Sequence, residues 1–185
     1  HVGLGRYYYE AALYGCLPAE TSFRETVAWM NKAIELNPLD AEAYAFLSIA
    51  HMSLRDFNQF VEAGEKAFEL SPNNVAHLSV YAWGLTHVRS YERAKLLIEK
   101  AIRLQPFHEA WWLNVRAMAN FWLGDYDTAL EAIEAAYGRT PHHTYTLVYR
   151  AVILSAMGQT EAARAAGDDL VNRHPDFSIE DWLET

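Results

Sequence analysis

Apolar and polar positions in this chain follow a helical rhythm that restarts at regular intervals. In DAEAYAFLSIAHMSL (residues 40–54), Tyr44, Leu47 and His51 recur at helical spacing and interleave with Ala45, Ile49 and Met52. That is the pattern of a helix buried on more than one side. A second helical stretch, RDFNQFVEAGEKAFELSP, follows and ends at Pro72. The couplet recurs along the chain, closed each time by a proline: Pro38, Pro72, Pro106, Pro141 and Pro175, at steps of 34, 34, 35 and 34 residues. Proline blocks further helix without being missed as a donor, and a fixed period of this size means one supersecondary unit stacked repeatedly. The pattern predicts ten helices, at 2–17, 22–36, 41–53, 56–70, 75–88, 91–104, 109–123, 126–138, 143–157 and 160–173. A short eleventh begins after Ser178, with Trp182 and Leu183 covering the apolar end of the stack.

Local signals agree with these boundaries. Asp40, Asp56, Asn74, Ser90, Asp125 and Thr160 stand at helix starts, where a short acceptor satisfies free amides of the first turn. Ser22-Phe23-Arg24-Glu25 has capping-box spacing. Small residues mark where helices approach closely: Ser48, Ala82, Ala117 and Ala151 on first helices, with Ala94, Ala129 and Ala163, then Ala33, Ala67, Ala101 and Ala136, on second helices. One unit departs from this. It has Phe60 where others have alanine, and Gly64 where others have Met30, Ile98 and Ile133, an exchange of large and small within one helix that conserves core volume.

Two helices in 34 residues, small-residue contacts, the turn Gly-Asp-Tyr-Asp-Thr-Ala-Leu at Gly124–Leu130 and a closing proline together resemble the tetratricopeptide repeat (TPR) family. A narrower likeness lies in GRYYYEAA, in the following ETSFRETVAWMNKAIELNPLDAEAYAFLSIAHM and in the ending RHPDFSIEDWL. These resemble the C-terminal TPR regions of bacterial class III adenylate cyclases and related winged-helix regulators. The resemblance implies an all-α, right-handed TPR superhelix forming a single domain over 1–185, an excerpt of a larger signalling protein. Its repeats fall at about 1–38, 39–72, 73–106, 107–141 and 142–175, with a cap at 176–185. It also implies a non-catalytic module for protein–protein interaction.

Composition narrows the partners. With 51% apolar and 21% charged residues, a 185-residue chain buries a substantial core. A net charge of −9 at pH 7 argues against nucleic acid, which demands cations to displace phosphate counterions, and against anionic membrane. Cys16 is the single cysteine, which leans towards a reducing, cytoplasmic setting and excludes an internal disulfide or a cysteine-based metal cluster. Eight histidines raise a metal question, but His108, His142 and His143 fall in turns and no metal-ligand spacing appears. No nucleophile has an evident base, so no catalytic residue, cofactor or metal is expected.

In a TPR superhelix the first helices line the concave face, and the resemblance therefore selects the stripes to inspect. Repeat two offers a mild stripe, Glu42, Ala45, Ile49 and Met52. Aromatic groups and methionine concentrate in repeats three to five, and the expected partner groove is Trp83, His87, Trp111, Asn114, Met118, Phe121, Trp122 and Tyr145. Adjacent Trp111 and Trp112 point about 100° apart on a helix, so one is expected in the core and the other less buried. Positions matching the carboxylate clamp of chaperone-adaptor TPR domains, among them Ile49, Ser53, Trp83, His87, Met118 and Trp122, carry no lysine or arginine.

The groove suits a peptide or partner protein, or a second copy of the chain in a homodimer. Arg116 and Arg150 are the oddest residues, standing where Leu47 and Tyr81 occupy earlier repeats. A buried arginine needs a carboxylate or carbonyl, so an internal ion pair is expected. The alternative is a small-carboxylate sensor or enzyme built around the two guanidinium groups.

Overall fold

The computed structural model describes residues 1–184, with side chains through residue 182. Its elements are α1 (Val2–Leu13), α2 (Ala19–Leu36), α3 (Ala41–Ser53), α4 (Phe57–Leu70), α5 (Val75–His87), α6 (Tyr91–Leu104), α7 (Trp111–Trp122), α8 (Tyr126–Arg139), α9 (Thr144–Ala156), α10 (Thr160–Arg173) and α11 (Ile179–Glu184). They pair as antiparallel hairpins, α1 with α2 through α9 with α10, stacked in chain order. Consecutive first helices (α1, α3, α5, α7, α9) touch one another, whereas consecutive second helices do not. Closer spacing on one side curves the stack, and the first helices therefore form its inner wall. The chain is an all-α solenoid.

Each first helix ends in the same way. Gly15, Arg55, Arg89, Gly124 and Gly158 adopt positive φ, from 59° to 79°. The next residue's amide reaches back five residues: Cys16 to the Ala11 carbonyl at 2.8 Å, Asp56 to His51 at 2.9 Å, Ser90 to Leu85 at 3.0 Å. This is the Schellman turn, in which a left-handed residue lets the orphan carbonyls of the last turn be satisfied. It explains why α1 stops at Leu13 and not at residue 17: Gly15 reverses the backbone.

Helix starts are more varied. Asp40 accepts from the Glu42 and Ala43 amides, Asn74 from Ala76 and His77, and Asp125 from Thr128. Asp56 and Ser90 occupy cap positions without a side-chain bond, and Thr160 is the first helical residue behind Gln159. The capping box expected at Ser22 does not form. α2 begins three residues earlier, because Pro18 already presents its carbonyl to the Ser22 amide at 3.0 Å. Ser22 is consequently buried within the helix. The extra residue of the fourth unit lies in the α6–α7 turn, residues 105–110, where Phe107 is 98% exposed.

The buried apolar residues form three clusters along the stack, and the second unit packs differently from the expected exchange within one helix. A Cβ on Gly64 would overlap the ring of Tyr81, and a Cβ on Gly84 would overlap the ring of Phe60. The two rings meet edge-on at 5.3 Å. Each aromatic therefore rests on a glycine of the opposing helix, and volume is exchanged between α4 and α5. Among consecutive helices from α1 to α10, α4 and α5 are the most loosely apposed. At the other end, Trp182 of α11 packs against Tyr145 at 4.5 Å and Phe177 at 6.0 Å. The side chain of Leu183 lies outside the described residues.

Candidate functional site

Arg116 and Arg150 are both engaged. Arg116 donates to Glu99 at 2.9 Å and Glu131 at 3.3 Å, and Arg150 donates to Glu134 at 2.7 Å while lying 4.4 Å from the Tyr137 ring centroid. The Tyr81 hydroxyl donates to Glu65 at 3.0 Å, and Glu65 also holds Arg93 through two bonds of 2.9 and 2.6 Å. Glu65, Glu99 and Glu134 recur at the repeat spacing. Each ties a second helix to the next first helix, so this ladder sets the register between hairpins. The guanidinium groups proposed for a carboxylate ligand are turned to that internal task.

The eight groove candidates do not form one continuous strip. Asn114 and Met118 are enclosed, at 4% and 6% exposure. Asn114 accepts from Thr146 at 2.9 Å and has its amide nitrogen 3.4 Å from His143 Nδ1, which closes it against α9. Phe121 packs among Trp122, Tyr126 and Tyr149. Trp111 is half-buried with its indole N–H on Glu109 at 3.1 Å, while Trp112 sits in the core stacked on His108. Trp83 meets His87 edge-on at 4.7 Å, and Trp122, 55% exposed, stacks on Tyr91. Tyr145 is covered on one side by Trp182. The exposed members are thus His87 and Trp122, with Trp83 half-buried against the core.

A recess on the inner wall lies elsewhere, at the loose junction of the second and third hairpins. A cavity of about 460 Å³ opens between α1, α3 and α5, with its floor on α4. Arg6 and Tyr9 of α1 and Glu42, Ala45 and Ile49 of α3 border it, the last three belonging to the stripe that looked mild in sequence, whose fourth member, Met52, does not line the cavity. Ala76 and Val80 form its α5 wall, and Trp83 and His87 continue the same face of that helix at i+3 and i+4 spacings. Phe60, Gly64, Ala67 and Phe68 of α4 form the floor, with the Tyr81 ring seated on Gly64. Sequence reasoning noticed Phe60 and Gly64 but missed Gly84, which stands where neighbouring repeats have Ala50 and Ala119.

Electrostatics at this cavity are dominated by burial. Burial pushes the Tyr9 hydroxyl up to about 12 and lowers His77 below its ordinary range, with Glu42 opposing the latter shift. His77 is therefore neutral near pH 7, and its Nδ1 has no hydrogen-bond partner among the described residues. Arg6 is neutralised by Glu10 at 2.7 Å. Among the described residues, no cluster of three histidine, cysteine or acidic side chains is placed to hold a metal ion. No described helix is long and apolar enough to cross a membrane.

Residues 41–74, the α3–α4 hairpin and the turn after it, match the tetratricopeptide repeat family. No curated protein matches the chain in sequence. Solved structures share its architecture. PilW, described as a widely conserved type IV pilus biogenesis factor, superposes with a TM-score of 0.80 at 14% identity, over 97% of this chain and 81% of that one. MamA from Desulfovibrio magneticus RS-1 gives 0.77 at 15% identity, over 92% and 95%. YrrB, described as a TPR protein with an unusual peptide-binding site, gives 0.73 at 20% identity, over 91% and 86%. At such identities the likeness establishes a fold, that of a TPR-type solenoid.

Proposed function

We propose that this chain is a non-catalytic protein-interaction module that holds a peptide segment of a partner along the wall formed by its first helices. The observation that carries this reading is the continuity of one α5 face, from Ala76 and Val80 in the cavity to half-buried Trp83 and exposed His87. A concave, mostly apolar recess beside a partly exposed tryptophan is the arrangement that yields binding energy from few contacts. Protein binding is also what the TPR architecture is built for, since its extended surface replaces a single pocket. The finer reading, a regulatory part of a bacterial signalling protein, is supported by the likeness of the terminal segments alone.

Selection of phage-displayed random peptides on the immobilised chain tests the proposal. Peptides sharing a motif are expected to enrich, and Trp83→Ala is expected to weaken them by about tenfold or more without loss of helicity. Absence of any enriched motif, or motifs indifferent to Trp83→Ala, would overturn it.

A further inference from the structure

The chemistry of the α1–α3–α5 cavity is specific enough to name what enters it. Its walls are mostly apolar and aromatic: Tyr9 and Phe46 meet edge-on at 5.6 Å beside Ala45, Ile49 and Tyr81, with Ser48, Asn74 and His77 as polar members. A single charge at the rim is unspent. Glu42 takes no hydrogen bond or ion pair on its carboxylate from any described residue, and its electrostatic neighbours are Arg6 and His77. Arg6 is already held by Glu10, and the Arg93 guanidinium over Phe68 is held by Glu65. Of the two charged residues that line the cavity, Arg6 is held by Glu10 just outside it and Glu42 is left without an ion-pair partner, in a chain whose formal charge is −9; Lys100, 5.2 Å from the Phe68 ring, does not line the cavity. An exposed carboxylate at the rim of a mostly apolar recess favours a cation that carries its own hydrocarbon stem.

We propose that this cavity is the anchor site for a basic residue of the partner peptide. The arginine or lysine cation meets Glu42, and its stem, with an adjacent large apolar side chain, fills the recess lined by Ala45, Ile49 and Phe68. A volume of about 460 Å³ accommodates two such side chains and not a folded element. Long-range attraction between an acidic chain and a basic segment speeds their encounter, and the rim carboxylate then selects against acidic segments. This inference rests on the peptide-binding reading above and adds the partner's charge and the position of its anchor.

The peptides enriched by phage display on the full chain are the probe. They are expected to carry arginine or lysine beside a large apolar residue. Glu42→Gln, which keeps the shape of an exposed side chain, is expected to weaken them roughly fivefold, and Ala45→Trp, which fills the recess, more than roughly tenfold. Thermal unfolding of both variants is followed alongside, and Glu42→Gln keeps the test open should Ala45→Trp fold poorly. Enriched peptides that are acidic or uncharged, or that bind Glu42→Gln as tightly as the wild-type chain, would overturn the anchor while leaving the peptide-binding reading intact. Absence of any enriched peptide would overturn both. A homodimer that Ala45→Trp dissociates would assign the cavity to a second copy and likewise overturn the proposal.

Discussion

Gly64 and Tyr81 behave as one unit, because the ring of the second occupies the Cβ space of the first. Gly64→Ala sets two effects against each other. Alanine favours the helix by about 1 kcal/mol over glycine, whereas forcing a methyl group into a filled site costs typically about 1–3 kcal/mol. Overlap with a ring wedged against Phe60 makes the second larger, so a net loss of about 1 kcal/mol is expected in chemical unfolding. Adding Tyr81→Leu, the residue type at Leu47, should recover most of that loss. A result in which Gly64→Ala alone is stabilising would refute the interlock.

His51 and His77 give a pH signature at the same scale. Burial lowers both below the ordinary value of 6.5, against smaller opposing effects from Asp56 and Glu42. The unfolded chain then takes up protons before the folded one. The stability concerned is present above about pH 6.5 and lost as the pH falls through and below it. The unfolding temperature should decline from pH 7 towards 5, and His77→Asn should flatten that decline. Arg116 and Arg150 were visible in sequence as charged groups on an apolar face, and the need for partners followed from desolvation; the hydroxyl of Tyr81 was not read as needing one. Which carboxylates answered depended on neighbouring hairpins, sixteen or seventeen residues away.

At the scale of elements, ten helices were legible because proline and the apolar period agree at every repeat. The Schellman turns were not read, although Gly15, Gly124 and Gly158 are spaced for them, because two of the five positions are arginine. Arg55 and Arg89 sit at φ of 59° and 60°, in a region where a side chain with a Cβ is disfavoured. Arg55→Gly and Arg89→Gly remove that penalty against a smaller entropic cost in the unfolded chain. Each is expected to raise stability by about 0.5–1 kcal/mol, measured by urea unfolding, whereas Gly124→Ala is expected to lower it. The start of α2 was misjudged for a related reason: Ser-x-x-Glu is a local signal, and Pro18 supplied an earlier one.

Over the whole molecule, stability is the sum of hairpins and the interfaces between them. The α4–α5 junction is the loosest of these, and its packing relies on two rings seated on glycines. Native-state hydrogen exchange should therefore show α1–α4 and α5–α10 opening as separate units, with the lowest protection at the ends of α4 and α5 that border the cavity. Uniform protection across that junction would contradict the packing described.

By itself the sequence determined the repeat, the helices and the acidic balance, since each follows from periodicity and composition and needs no knowledge of distant contacts, while the inner wall came from the resemblance to TPR superhelices. Tertiary structure alone decided where that wall opens. Asn114 and Met118 were closed by α9 and by their own neighbours, while a quiet stripe on α3 became the rim of the cavity. The physical reason is that exposure on a stacked solenoid depends on the volumes of residues in adjacent hairpins. Phe60, Gly64, Tyr81 and Gly84 settle that only when four side-chain volumes from two hairpins meet in space.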